Sequence, residues 1–171
     1  DPFGNIRRGS SAALQELIGR HPDTVQEGIA VVQNVDYHAV ARRSRAVEEV
    51  ATNATKLANQ YGEALLDGIL GWRGIGDMDA PSRRDSGAAF GRLTSLLSKA
   101  DDGSQSNHFQ DSFNLIKAKL QSLAKRQVEE RHGLLLCFAS LLDQFPLLSS
   151  SQSGDQLIGD ITATVEDILR D

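Results

Sequence analysis

NIRRGSSAALQELIGRHP, residues 5–22, is the stretch from which the fold can be inferred, because its design returns three times further along. It begins with a pair of arginines and continues with apolar residues spaced by three and four positions, the period of one face of an α-helix. The later copies are VARRSRAVEEVA at 40–51, SRRDSGAAFGRL at 82–93 and EERHGLLLCFASLL at 129–142. One amphipathic helix cannot bury its apolar face alone, so the recurrence predicts helices packed against one another.

The rest of the chain is also helical in pattern. Apolar or small residues follow the helical period in four segments, 37–61, 109–123, 128–145 and 158–168. No segment shows the sustained alternation of apolar and polar residues that marks a β-strand. We therefore predict an all-α fold, with polar and flexible loops near 71–82, 99–107 and 149–155.

Acidic residues stand at a fixed distance before the leading arginines of the repeated motif. The intervals between these arginines are 35, 41 and 48 residues, and helix pairs that recur at about 40 residues are typical of a HEAT- or armadillo-type α-solenoid. We predict a solenoid of about four helix pairs. In it, the acids form ion pairs with arginines of the same turn or of the next turn, and these residues are structural. The aspartates stand six residues before three of these arginines, Asp1 before Arg7, Asp36 before Arg42 and Asp77 before Arg83; the fourth arginine, Arg131, has Lys125 in place of the aspartate.

A second arginine directly follows the first in three of the motifs, at Arg8, Arg43 and Arg84. We expect this second arginine to be freer to face solvent, and we predict that the three side chains line one edge and bind a partner. The alternative is that they only solvate the ends of their helices.

Composition limits the classes of partner and compartment. The net charge of −5 argues against nucleic acid as the main partner. The chain has no run of 18 apolar residues, so no membrane span is predicted. The single cysteine, Cys137, cannot form an internal disulfide, which favours a reducing, intracellular setting. The chain opens with DPFGNIRRG, without an apolar signal core or an initiator methionine, so we expect residues 1–171 to be one segment of a longer protein.

No set of residues suited to catalysis, cofactor binding or metal binding can be assembled from the sequence. The GWRGIG segment at 71–76 follows no strand and lacks the lysine of a phosphate loop, and the four histidines lack the spacing of a metal site. Asp77 and Asp79 are more typical of a helix cap than of a cation site. We expect the chain not to be an enzyme.

Three blocks of the sequence resemble the tubulin-specific chaperone D family. They are DPFGNIRRGSSAALQELIGRH at 1–21, GIAVVQNVDYHAVARRS at 28–44 and RHGLLLCFASLL at 131–142. The resemblance runs with gaps from about residue 1 to residue 146, covers the HEAT-repeat region and reaches into the C-terminal region of that family. It weakens through 62–127, and the last helix carries no matching block.

The resemblance implies a non-catalytic scaffold of the cytoplasm and cytoskeleton. Members of this family capture β-tubulin and help to assemble or dismantle the αβ-tubulin heterodimer, together with tubulin-folding cofactors E and C and an Arf-like small GTPase. The periodicity alone also allows a HEAT-repeat adaptor of another pathway, such as transport or a phosphatase scaffold, and less readily a helical enzyme. A segment cut from a solenoid exposes an apolar flank at each end, so we expect it to be prone to self-association.

Overall fold

The computed structural model describes residues 1, 3–100, 108–144 and 153–170. Within these residues the regular structure is helical and contains no strand, which confirms the predicted all-α class. The α-helices are α1 (Gly4–Arg20), α2 (Val25–Asn34), α3 (Arg43–Arg45), α4 (Ala51–Leu57), α5 (Asn59–Ile69), α6 (Ala80–Ala100), α7 (His108–Ser122), α8 (Val128–Gln144) and α9 (Ser153–Arg170). A 3₁₀ turn at Pro22–Thr24 precedes α2, and a π-helical turn at Ala46–Val50 joins α3 to α4. None of the described helices is long and apolar enough to cross a membrane.

The predicted loops are shorter in the structure than in the sequence pattern. Residues 80–82 belong to α6, because the carboxylate of Asp79 accepts the backbone N–H of Ser82 at 2.9 Å and caps the helix. The same helix continues to Ala100, and α9 begins at Ser153. The remaining positions of the predicted loops, 101–107 and 149–152, lie outside the described residues.

The periodic segment 37–61 was expected to form one helical face, and the structure divides it. Ala58 adopts an extended backbone conformation (φ −160°, ψ 136°), which ends α4 and allows α5 to fold back against it. The two helices meet closely, since a Cβ atom added to Gly62 would lie 2.6 Å from Cγ2 of Thr55. The periodic pattern of 37–61 is therefore divided between two short helices, α4 and α5, that pack against each other. It does not require one continuous helix.

The core centres on α6 and α8, which run parallel. Their contacts advance together along both helices, from Arg83 with His132 to Gly91 with Ser140. A Cβ atom at Gly91 would lie 2.6 Å from the carbonyl oxygen of Ser140, so only glycine permits this approach of the two backbones. The large, fully buried side chains around this contact are Phe90, Leu93 and Leu97 of α6, Phe113 and Ile116 of α7, Leu134, Phe138 and Leu141 of α8, and Ile161 of α9.

The first two helices contribute almost nothing to that core. Ser11 is the buried residue of α1 and Gly28 is that of α2. The Ser11 hydroxyl donates to the carbonyl oxygen of Val35 at 2.6 Å, so α1 is attached to the following turn by polar contacts. The position of α1 therefore depends on the turn that follows α2.

Candidate functional site

The starts of α1, α3 and α6 lie side by side, and arginine side chains join the turns that precede them. We call residues 1–8, 36–43 and 71–84 the turn edge; each range runs from the start of a turn to its second arginine. In the first turn, Nη1 of Arg7 donates to the carbonyl oxygen of Asp1 at 2.6 Å. Its Nε and Nη2 donate across to the second turn, to the carbonyl oxygens of Val40 (2.7 Å) and Ala41 (2.8 Å). Arg7 therefore joins two successive turns, and it does so through backbone oxygens.

Arg43 joins the second turn to the third. Its Nη1 forms an ion pair with Oδ2 of Asp77 at 2.9 Å, and both side chains are only 12% exposed. Its Nη2 donates to Oγ of Ser86 (3.0 Å) and to the carbonyl oxygens of Arg73 (3.2 Å) and Ser82 (3.3 Å). These contacts correct the expectation that Arg43 faces solvent.

The two arginines of the second motif have exchanged the expected roles. Arg42, predicted to be structural, is exposed, and its side chain makes no hydrogen bond or ion pair within the described residues. The reason is geometric: Arg42 precedes α3 with an extended backbone (φ −92°, ψ 128°), whereas Arg43 is the first residue of the helix and its side chain reaches Asp77 in the neighbouring turn.

Arg83 joins the third turn to α8. Its Nη1 donates to the carbonyl oxygens of Asp77 (2.5 Å) and Met78 (3.0 Å), and its Nε donates to Nδ1 of His132 at 2.9 Å. Nδ1 must be unprotonated to accept this hydrogen bond. Burial, followed by the positive charges of Arg83 and Arg84, lowers the pKa of His132, which favours the same neutral form.

The three aspartates share one local role. Each carboxylate accepts the backbone N–H two residues ahead, and the three pairs are Asp1 with Phe3 (2.8 Å), Asp36 with His38 (2.7 Å) and Asp77 with Asp79 (2.9 Å). This turn explains why aspartate stands at a fixed place in each motif. None of the three carboxylates forms an ion pair with the arginine six residues later, so any pairing must be with an arginine of another turn.

The carboxylates of two aspartates find other arginines. Oδ2 of Asp1 pairs with Nη1 of Arg73 at 2.7 Å, and Oδ2 of Asp77 pairs with Arg43 as described above. Asp36 instead accepts a second backbone N–H, from Ala39 at 3.0 Å, and these hydrogen bonds lower its pKa. The three aspartates therefore find their hydrogen-bond and ion-pair partners among the residues of the three turns.

The other arginines predicted to be functional occupy different surroundings. Arg8 is half-buried, with its guanidinium carbon 5.1 Å from the centre of the Tyr37 ring. Arg84 is exposed, and its side chain makes no hydrogen bond or ion pair in the described part of the chain. Arg131 lies off the turn edge, half-buried beside a cleft of about 530 Å³ that also touches Lys125 and α9.

Five large apolar residues of the turn edge are exposed, Ile6 at 43% and four others to a greater extent, and the sequence reasoning missed their importance. The exposed fractions are 58% for Phe3, 48% for Tyr37, 65% for Trp72 and 85% for Met78. A sequence signal exists for three of them, since Phe3, Tyr37 and Met78 follow the turn aspartates by one or two residues. Trp72 has the guanidinium of Arg73 stacked on it, 4.6 Å from the ring centre.

A cleft of about 430 Å³ adjoins the turn edge. Its walls come from α1, the segment 46–54 and α5, and include Leu14, Val47, Val50 and Leu65. Arg7, Arg43 and Arg73 also line it, so an apolar interior borders the positively charged edge. Within 1, 3–100, 108–144 and 153–170, no three or more His, Cys, Asp or Glu residues are grouped to hold a metal ion.

Cys137 is fully buried in the core, as a small apolar residue would be, and burial raises the pKa of its thiol. Asp79 acts as the predicted helix cap, and its hydrogen bonds with Ser82 lower its pKa. Neither group is arranged as a nucleophile with a neighbouring base.

Comparison with known proteins gives one partial similarity. A stretch of 57 residues is 33% identical to tubulin-specific chaperone D of Dictyostelium discoideum. The matched stretch covers 33% of this chain and 4% of that protein. No family model matches the chain, and no solved structure matches it. The resemblance inferred from the sequence is therefore supported over one third of the chain.

Proposed function

We propose that this chain is a non-catalytic scaffold segment of the tubulin-folding cofactor type. In this role it binds β-tubulin and helps to assemble and dismantle the αβ-tubulin heterodimer, in the cytoplasm and in association with the cytoskeleton. Tubulin-folding cofactors E and C and an Arf-like small GTPase act with it. The observation that carries the proposal is the 57-residue similarity to tubulin-specific chaperone D.

A HEAT-type stack of helix pairs is part of the proposal. The support comes from the successive links made by Arg7 and Arg43, each of which contacts the next turn along the chain, and by Arg83, which contacts His132 of α8. The parallel packing of α6 and α8, with α7 between them in sequence, is also the relation expected of first helices in neighbouring repeats. A stack of this kind offers a long surface on which many modest contacts hold a large partner.

The turn edge is the partner-binding face in this proposal. Arg84 keeps the role predicted for it, Arg42 takes the place predicted for Arg43, and Arg8 contributes through its contact with Tyr37. Exposed arginines whose charge is not used inside the molecule suit the acidic surface of tubulin.

The test is capture of purified αβ-tubulin, and separately of the Arf-like GTPase, by the immobilised chain at low and moderate salt. We expect salt-sensitive capture of tubulin that an R42A/R84A variant loses. R20A/R170A is the matched control, because it removes two arginines that are exposed but lie away from the edge. Failure of a chain shown by circular dichroism to be helical to capture tubulin overturns the proposal.

A further inference from the structure

We propose that the turn edge is a docking surface for an acidic polypeptide segment with bulky apolar side chains, which anchor on Phe3, Tyr37, Trp72 and Met78. The choice of the turn edge as the binding face rests on the proposed function, and the acidic segment describes the chemistry of the partner that binds there. It does not require the partner to be tubulin.

The first step is the position of the four apolar side chains. Arg7 donates to the carbonyl oxygen of Asp1 and the Asp1 carboxylate pairs with Arg73, so the first turn, which carries Phe3, is joined to the third turn, which carries Trp72. Arg8 stacks on Tyr37 beside the same turns, and the backbone of Met78 is held by Arg83. Soluble proteins seldom leave a large apolar patch uncovered unless something binds there. Protein–protein interfaces are also enriched in Trp, Tyr, Met and Arg.

The second step is the order of this surface before binding. The guanidinium of Arg73 stacks 4.6 Å from the centre of the Trp72 ring while Nη1 of the same group pairs with Asp1 at 2.7 Å. Each turn is also closed by a hydrogen bond from a backbone N–H to its aspartate, as in Asp36 with His38. Side chains held in this way lose little conformational entropy when a partner docks, so their apolar area contributes more fully to affinity.

The third step is charge. The turn edge contains seven arginines and four aspartates, a net charge of +3, whereas the whole chain carries −5. Burial, followed by the positive charges of Arg43 and Arg8, lowers the pKa of Arg7, so cations are close together at this edge. The carboxylates of the edge accept hydrogen bonds inside their own turns, while Arg42 and Arg84 make none within the described residues. The charge available to a partner is positive, and the complementary partner is acidic.

The same charge count argues against a second copy of the chain. Two edges placed face to face would oppose arginines with arginines, and like charges in contact disfavour association. Nucleic acid has the right sign of charge, but the negative balance of the whole chain opposes a long polyanion. An acidic peptide with apolar side chains matches both the charge and the four exposed apolar residues.

The experiment uses Trp72, the single tryptophan of the chain, as a reporter on the proposed surface. The chain is titrated with a short peptide of glutamates interspersed with leucines, and tryptophan emission is followed. We expect a saturable shift to shorter wavelength, as apolar groups cover the indole. An oligo-glutamate of the same length should bind at least about tenfold more weakly, equivalent to about 1.4 kcal/mol, because it lacks the anchors.

Paired variants locate the binding. Y37S/M78S and R42A/R84A should each weaken binding of the Glu/Leu peptide by about tenfold or more. L17S/L115S and R20A/R170A, which change side chains exposed elsewhere, should leave it unchanged. The urea midpoint of every variant is measured first, and exposed substitutions of this kind should shift stability by no more than about 0.5 kcal/mol.

Four results overturn the inference. They are absence of saturable binding of the Glu/Leu peptide, equal loss in the control pairs, binding of a lysine/leucine peptide or of oligo-dT as tight as that of the Glu/Leu peptide, and sedimentation that shows a dimer which Y37S/M78S abolishes. The outcome is separable from that of the proposed function. Peptide binding without tubulin capture rejects tubulin as the partner and supports the docking surface for an acidic segment. Tubulin capture without peptide binding supports the proposed function and rejects this docking surface.

Discussion

Arg42 and Arg43 are neighbours in the chain with opposite surroundings. The side chain of Arg43 is nearly buried and donates four hydrogen bonds, one of them within its ion pair with Asp77, whereas the side chain of Arg42 is exposed and makes no hydrogen bond or ion pair within the described residues. The consequences of removing each side chain should therefore differ sharply, although the chemical change is the same.

R43A should lower the free energy of unfolding by about 3 kcal/mol, because it leaves the Asp77 carboxylate nearly buried without its ion-pair partner. R42A should change it by no more than about 0.5 kcal/mol. Urea unfolding followed by circular dichroism measures both. Equal losses for the two variants would contradict the assignment of Arg43 as the link between turns.

His132 gives the molecule a pH dependence at the contact between the third turn and α8. Its pKa lies below the ordinary value of 6.5, so the unfolded chain takes up this proton at higher pH than the folded chain. Stability from this contact is present above about pH 6.5 and is lost as the pH falls towards the folded pKa. Asp36 and Asp79, with pKa values below their ordinary 3.8, affect a lower range.

We expect H132Q to reduce the fall in the free energy of unfolding between about pH 7 and pH 5, since the glutamine oxygen accepts from Arg83 at either pH. H21Q, at an exposed histidine after α1, is the control and should keep the slope of the unchanged protein. Urea titrations across this range give the slope. A slope unchanged by H132Q would show that His132 does not control it.

At the scale of elements, α6 and α8 are brought together by glycine. Gly87 and Gly91 lie one turn apart on α6, and a Cβ atom at either would meet α8: 2.8 Å from Cβ of Leu136 in the first case and 2.6 Å from the carbonyl oxygen of Ser140 in the second. The latter obstacle is backbone, which cannot rotate away. The helices would have to separate, and the packing around Phe90 and Phe138 would loosen.

G91A should lower the free energy of unfolding by about 2 kcal/mol through overpacking, against the usual helix preference for alanine over glycine of about 1 kcal/mol. G9A, on the open face of α1, should not lower it, because nothing lies within 4 Å of the added methyl group. The opposite signs make the pair informative. A stabilising G91A in thermal or urea unfolding would mean that the two helices are not in close contact.

For the whole molecule, the apolar core is unevenly distributed. The buried apolar side chains of the described residues all lie between Ala39 and Ile161, and α1 and α2 contribute none. The first two helices are held chiefly by Arg7 and Ser11, which hydrogen-bond to backbone oxygens of the second turn. Elements with few buried apolar contacts open at a lower free energy than the core.

Native-state hydrogen exchange should therefore show α1 and α2 opening at a clearly lower free energy than α6 and α8. R7A should increase exchange further in α1, since it removes hydrogen bonds to Asp1, Val40 and Ala41, and should leave α8 unaffected. Mass spectrometry of peptic fragments resolves the two regions. Uniform protection along the chain would contradict this division of stability.

The sequence by itself determined the local features of this protein. The all-α class followed from the 3.6-residue period, and the capping role of Asp79 from its place before α6. The spacing of Asp1, Asp36 and Asp77 correctly marked the turns. These features were accessible because helix periods, caps and turns depend on residues only a few positions apart.

The tertiary structure alone decided the long-range features. Arg43 rather than Arg42 is buried because Asp77 and Ser86, which follow it by 34 and 43 residues, lie on its side of the turn. The break at Ala58 and the glycine contact at Gly91 likewise depend on partners brought near by packing. Periodicity states which residues share a face, but the residues that this face meets are set by the path of the chain between them.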